Sequence, residues 1–196
     1  MKEYIFLGDS ITDCDHIYDP YGLGDGYVHF IADKLVSNQN RILNLGYDGF
    51  TISALKRLWN ARVNSLNPSC ITILIGINDV SLIKNTGLNP SSALENFQMN
   101  YEMLIESIRH KTDCPIILIE PFIFSRPAEY LSWKAEVQKM REIIQEIAKK
   151  YGLHFLSVRS ELSDIALTTD GIHLTSEGHF VLANLWMNLT NNLEII

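Results

Sequence analysis

The sequence predicts a doubly wound α/β protein, a parallel sheet with helices on both faces, and two observations carry that expectation. Five short runs (4–7, 41–45, 71–75, 115–119 and 154–157) are mostly continuous in apolar residues instead of alternating, as in parallel strands covered on both sides. Segments of helical period separate them, so the order strand–helix–strand recurs, and right-handed crossovers then place helices on either face. No internal repeat, linker or low-complexity segment breaks this order, and 196 residues suit one domain with a proper core.

The elements follow in turn. The first strand, 4–7, stops at Gly8-Asp9 and is followed by Ser10. Short helices are expected over 27–36 and 52–63, on either side of the second strand. After the third strand, Ser92 opens "SALE", a capping box with Glu95, and Leu94, Phe97, Tyr101, Leu104 and Ile108 recur at steps of three and four. After the fourth, Ser132 precedes a longer stripe of Trp133, Val137, Met140, Ile144, Ile147 and Tyr151, stopped by Gly152. A helix over 175–189 closes the chain.

Composition excludes several classes of function. A net charge of −7 and a pI near 5.3, with no basic cluster larger than Lys149-Lys150, argue against nucleic-acid partners and anionic membranes. Cys14, Cys70 and Cys114 are odd in number and form no CxxC pair, which points to free thiols in a reducing compartment. The N-terminal apolar stretch is too short for a signal-peptide core, and nothing approaches the roughly 20 apolar residues of a membrane span. A cytoplasmic protein is expected. No phosphate-binding glycine loop is present, so no cofactor is expected, and no metal; the oligomeric state carries no sequence signal.

In open parallel sheets ligands bind beyond the carboxyl ends of the strands. The residues there are Gly8-Asp9-Ser10 after strand one, "NLGYDGFT" with Gly46 and Gly49 after strand two, "GIND" with Gly76, Asn78 and Asp79 after strand three, and "TTDGIHLTSEGH" with Asp170 and His173 after the last. This is the inventory of serine acyl transfer. A hydroxyl needs a base, an imidazole suits that role, and the imidazole needs a carboxylate to hold its tautomer. Asp170 and His173, three residues apart, can meet within one turn. The Ser10 and Gly49 amides and the Asn78 side chain are the available oxyanion donors. Taken alone, Ser10 reads as a helix N-cap; the other blocks favour a nucleophile.

"GDSIT", Gly49, "GIND" and "DGIH" resemble the four signature blocks of the GDSL, or SGNH, hydrolases, a family of esterases, lipases and acylhydrolases. The resemblance runs from residue 4 to about residue 187, with the blocks in family order. It implies a single domain over 1–196 with a flavodoxin-like three-layer α/β/α fold around a five-stranded parallel sheet. It also implies Ser10 as nucleophile, His173 as base, Asp170 as its orienter, and Ser10, Gly49 and Asn78 as the oxyanion hole. Two positions depart from common members: Leu174 stands where many have proline after the histidine, and Phe50 where several have Asp after the glycine. Neither supplies a catalytic atom; both bear on loop shape and substrate fit.

The loop "EPFIFSRPAEYLSW" is expected to lie over the same sheet edge. Tyr27, Phe50, Val80, Phe122, Phe124 and Arg126 are its candidate substrate contacts, with Glu120 open between substrate contact and local hydrogen bonding. Asp9 and Asp79 are expected to organise their loops. His16, His29, His110, His154 and His179 are read as surface or satisfied core residues, and Cys14 as unreactive for lack of a nearby cation. With no long lipid-binding insertion, the expected substrate is a small ester, such as an acetyl group on a sugar. The alternatives are a lysophospholipase or thioesterase of the same mechanism, or a non-catalytic binding module.

Overall fold

The computed structural model describes residues 2–35, 40–62 and 66–196. Five strands form one parallel sheet in the order β2-β1-β3-β4-β5: β1 Lys2–Gly8, β2 Asn40–Gly46, β3 Cys70–Leu74, β4 Ile116–Ile119 and β5 His154–Leu156. β1 and β3 are buried along nearly their whole length, as their unbroken apolar runs require. Among the described residues seven helices flank the sheet: α1 Ser10–Asp13, α2 Tyr27–Lys34, α3 Ile52–Arg62, α4 Ile77–Thr86, α5 Pro90–Arg109, α6 Lys134–Tyr151 and α7 Ser176–Asn192.

Side chains alternate across the sheet, and the two faces take different helices. On one, Trp186 of α7 packs on Tyr4 and Phe6 and donates its indole N–H to Thr72 Oγ1 at 2.8 Å. Tyr27 of α2 meets Phe6 edge-on, and α2 packs on α7. Ile5, Leu7, Ile71 and Ile73 have the opposite parity, with α3, α5 and α6 packed in sequence as the second helical layer.

Helix starts differ from expectation in instructive ways. α5 begins at Pro90, and Asn89 caps it by accepting the Ser92 amide at 3.2 Å, so Ser92 is not the cap. Proline at the first helical position lacks the amide that would go unsatisfied there. A 3-10 turn at Ala128–Trp133 precedes α6, whose inner stripe of Val137, Met140, Ile144 and Ile147 is buried as expected. α4 was not anticipated, although Ile77, Val80 and Ile83 recur at helical spacing and Gly87 ends it. The expected last residues of α2 and α3, Val36 and Val63, lie outside the described residues.

Two glycines let the first helix lie across the strand ends. Gly8 and Gly46 pair in register on β1 and β2. A Cβ on Gly8 would run into Thr12 Oγ1 and the Leu74 carbonyl, and one on Gly46 into the Thr12–Asp13 backbone. Buried Asn44 then ties that turn down, donating to the Thr12 carbonyl at 2.7 Å and the Leu23 carbonyl at 2.8 Å while accepting the Gly46 amide. Close backbone approach at the two glycines, with Asn44 beneath the turn, sets Ser10 at the carboxyl edge of the sheet.

Candidate functional site

The N-cap of α1 is Asp9, not Ser10. The Asp9 carboxylate accepts the Ile11 amide at 3.1 Å, and its carbonyl accepts those of Thr12 and Asp13. The Ser10 hydroxyl is therefore not spent on capping. Its Oγ lies 2.9 Å from His173 Nε2, across 163 residues of chain. His173 Nδ1 lies 2.6 Å from Asp170 Oδ2.

Asp170 and His173 sit on a bend, not on a helical turn. Asp170 Oδ1 accepts the amides of Ile172 at 2.9 Å and His173 at 2.8 Å, while the Thr168 hydroxyl donates to the His173 carbonyl and accepts the Gly171 amide. Desolvation, the largest single influence on the Asp170 carboxyl, raises its pKa, but the His173 ring and the two amides together outweigh it and hold it below the usual range. An ionised Asp170 keeps the proton on Nδ1, which leaves the Nε2 lone pair facing the Ser10 hydroxyl. That geometry can take a proton from Ser10.

The loop carrying Gly49 is pinned at three points. Asn78 Nδ2 donates to the Phe50 carbonyl at 3.0 Å, Asp79 Oδ2 accepts the Ile52 amide at 3.1 Å, and Asp13 Oδ2 accepts the Asp48 amide at 2.9 Å. Gly49 takes a left-handed φ of 71° in the Tyr47–Phe50 turn. Ser10, Asn78 and His173 line one cleft of about 560 Å³. Asp48, the neighbour of Gly49, lines it too; Gly49 itself does not.

Most of the expected substrate contacts lie elsewhere. Tyr27 and Val80 are wholly buried, because each faces inward from its helix; Tyr27 is 3.1 Å from the Thr12 hydroxyl and stacks on His179. Phe122 and Phe124 are also buried and border a different cavity, and Arg126 is not among the residues lining the Ser10 cleft. Phe50 lies beside the cleft, stacked on Tyr47, and meets Asn78 through its carbonyl. The cleft walls come instead from the far end of the loop, Glu129, Tyr130, Ser132 and Trp133, and from Ser81, Lys84 and Asn85 of α4. Glu120 resolves to local hydrogen bonding. It accepts from Ser157 Oγ, the Val158 and Arg159 amides and Arg141 Nε.

His16 is a satisfied buried residue, as expected, and its partner is an unforeseen carboxylate. Asp13 stands three positions before it, the spacing that singles out His173, and Asp13 Oδ1 is 2.7 Å from His16 Nδ1. The pair braces the Asp48 amide. Burial pushes the Cys14 thiol up to about 12, and it contacts His179 Nε2 at 3.3 Å, so it is no nucleophile. Burial also pulls His179 down to about 4, and its Nδ1 accepts the Tyr27 amide. Among the described residues no group of three or more His, Cys, Asp or Glu side chains is placed to hold a metal ion. None of the described helices is long and apolar enough to cross a membrane.

Two carboxyls under the cleft titrate unusually. Burial pushes both Asp9 and Asp79 up to about 7. A carboxyl raised on folding stabilises the protein below its unfolded pKa, near 3.9, and that contribution is lost as pH rises through the folded value. His179 acts in the opposite sense, its contribution being lost as pH falls from its unfolded value toward 4. Asp79→Asn keeps an acceptor for Ile52 and removes the charge. Relative to the parent it should gain about 1–3 kcal/mol between pH 5 and pH 8 in urea melts, the lower half if water reaches the carboxyl. An equal gain at both pH values would show that Asp79 does not titrate in this range.

A serine, a histidine and an aspartate within hydrogen-bond distance beyond the carboxyl ends of a parallel sheet form an arrangement suited to serine hydrolysis. The model for the GDSL-like Lipase/Acylhydrolase family matches residues 6–180, and the chain belongs to that family of ester hydrolases. It is 27% identical to an acetylxylan esterase of Geobacillus stearothermophilus over 95% of this chain and 92% of the relative. The crystal structure of that organism's acetylxylan esterase Axe2 superposes with a TM-score of 0.79 at 25% identity, covering 95% and 93% of the two chains. A Parabacteroides merdae structure that carries the name GDSL-like lipase superposes with a TM-score of 0.85 at 24% identity, covering 97% and 95%, a likeness of fold.

Proposed function

We propose that the protein is a serine esterase that removes a short acyl group, such as acetyl, from a sugar through a Ser10 acyl-enzyme. The observation that carries the mechanism is the unbroken line from Asp170 to His173 to Ser10, with both links within hydrogen-bond distance. Ser10 Oγ attacks the ester carbonyl as its proton passes to His173 Nε2, and Asp170 stabilises the imidazolium. The Ser10 amide and Asn78 Nδ2, on residues that line the cleft, receive the oxyanion, with the Gly49 amide, on the turn next to the lining residue Asp48, as the third donor. Collapse breaks the bond to the alcohol oxygen, which takes the proton from His173. Water, deprotonated by the same ring, then attacks the acyl carbon and frees the carboxylic acid and Ser10.

Two features support the substrate. Polar groups on Asn78, Ser81, Lys84, Asn85 and Glu129 line the cleft, and Tyr130 and Trp133 meet edge-on at 4.8 Å on its wall. Such a surface suits a hydroxylated ring better than an acyl chain. The acetylxylan esterase relative supports the same class. Initial rates on p-nitrophenyl acetate, p-nitrophenyl octanoate, acetylated xylo-oligosaccharides and a lysophospholipid test the proposal. Acetyl esters should be turned over fastest; preference for the octanoate or the lysophospholipid would overturn the short-acyl assignment in favour of a lipase-like enzyme.

Asn78→Ala should lower kcat by roughly 100- to 1,000-fold with little change in KM, the signature of a donor engaged only in the transition state. A rise in KM at constant kcat would reassign Asn78 to holding the Phe50 loop.

A further inference from the structure

A second cavity, of about 520 Å³, lies beside β4 and shares none of its lining residues with the Ser10 cleft. Its floor is apolar: Phe122 and Phe124 meet edge-on at 6.1 Å, with Val137 and Leu162 beside them. Its polar side is cationic, although the chain as a whole carries −7. Lys134, Arg141 and Arg159 all line it, against Glu120 as the one lining carboxylate.

Glu120 is itself fully buried and already occupied. One oxygen accepts from Ser157 Oγ at 2.7 Å, the Val158 amide at 2.6 Å and the Arg159 amide at 3.0 Å, and the other takes Arg141 Nε. Its charge thus orders the floor of the cavity and fixes Arg141 by one edge, while the guanidinium has two further NH₂ groups to offer. Arg159 is steadied by donating to Gln138 Oε1 at 2.9 Å. Subtracting the paired Glu120 leaves two cations in excess beside an apolar floor. A carboxylate is matched by a guanidinium fork, and an attached hydrocarbon by the phenylalanines.

We propose that this cavity is a second ligand site, which takes a small organic carboxylate with an apolar body. The catalytic cleft is separate; the link between the two is that Phe124 donates its amide to the Gly171 carbonyl at 2.9 Å, in the segment that carries Asp170 and His173.

Titration of the full-length, isotope-labelled protein with hexanoate and with hexanol, followed by amide NMR shifts, tests the site. Hexanoate should shift the amides of Ala135, Arg159 and Leu162 saturably and bind at least about tenfold tighter than hexanol, the margin expected of one charge-assisted pair. The double variant Lys134→Gln, Arg159→Gln should weaken hexanoate by a further factor of about ten while its circular dichroism and melting temperature stay at parental values. Both side chains are outside the buried Glu120–Arg141 pair, and Arg159 keeps its amide in any variant, so the fold is expected to hold. Should the double variant melt early, Lys134→Gln alone, with a loss of about threefold, decides instead. Equal binding of hexanol, shifts centred on Asn78 and Ile172, or undiminished affinity in a folded variant would each overturn the proposal.

Discussion

Ser10→Ala should lose hydrolysis of p-nitrophenyl acetate by on the order of 10⁶-fold in kcat, with secondary structure and melting temperature unchanged. The two halves of this expectation come from different observations. The chemical half follows from the 2.9 Å approach of His173 Nε2, since removing Oγ removes the atom that forms the acyl bond. The structural half follows from the cap. Asp9, not Ser10, satisfies the first amides of α1, so the hydroxyl contributes nothing to starting the helix. A serine serving as an N-cap would cost about 1 kcal/mol on truncation and leave turnover intact. The variant separates the two roles in one pair of measurements: kcat on the acetate ester and the thermal melt. A fluorophosphonate should label the parent at Ser10 and not the variant; undiminished turnover would remove Ser10 from the chemistry.

The parts of this site legible in the sequence are those whose placement depends on strand ends. Apolar runs locate the strands, strand ends locate Ser10, Asn78 and Asp170-His173, and parallel topology carries them to one edge of the sheet. What failed depends on which way a side chain turns after the strand. Tyr27 follows the glycine-rich loop before α2 and Val80 follows the end of β3, and both look like cleft residues, yet each lies on the inward stripe of a helix. For Val80 the spacing of Ile77, Val80 and Ile83 already contained the answer. The loop after β4 was located correctly at the sheet edge, but its first half turns inward at Phe122 and Phe124, and its 3-10 turn supplies Tyr130 and Trp133 to the cleft instead. No periodicity marks such a reversal. Asn44 shows a third kind of gap. A polar residue inside an apolar strand reads as a flaw until the turn it satisfies lies over it.

Asp170→Asn should lower kcat by roughly 100- to 10,000-fold, less than loss of Ser10, because the carboxylate acts through the ring and forms no bond to substrate. The asparagine oxygen can still accept the Ile172 and His173 amides, so the bend should survive. Its NH₂ group then faces Nδ1, now forced to accept, which moves the ring proton to Nε2. Nε2 would then donate toward Ser10 and could not take its proton. The wide range has a physical origin. Asp170 and His173 side chains are each 47% exposed, so water can replace part of the carboxylate's support, more than at a buried triad. Asp170→Ala frees both amides as well and should add a loss of loop order, visible as a lowered melting temperature that Asp170→Asn does not share. Because its pKa lies below the usual range, Asp170 stays ionised into acid, and its hold on Nδ1 does not lapse near neutral pH. If Asp170→Asn turned over acetate esters within tenfold of the parent, His173 would not need an orienting carboxylate, and the proton would have to be held on Nδ1 by solvent.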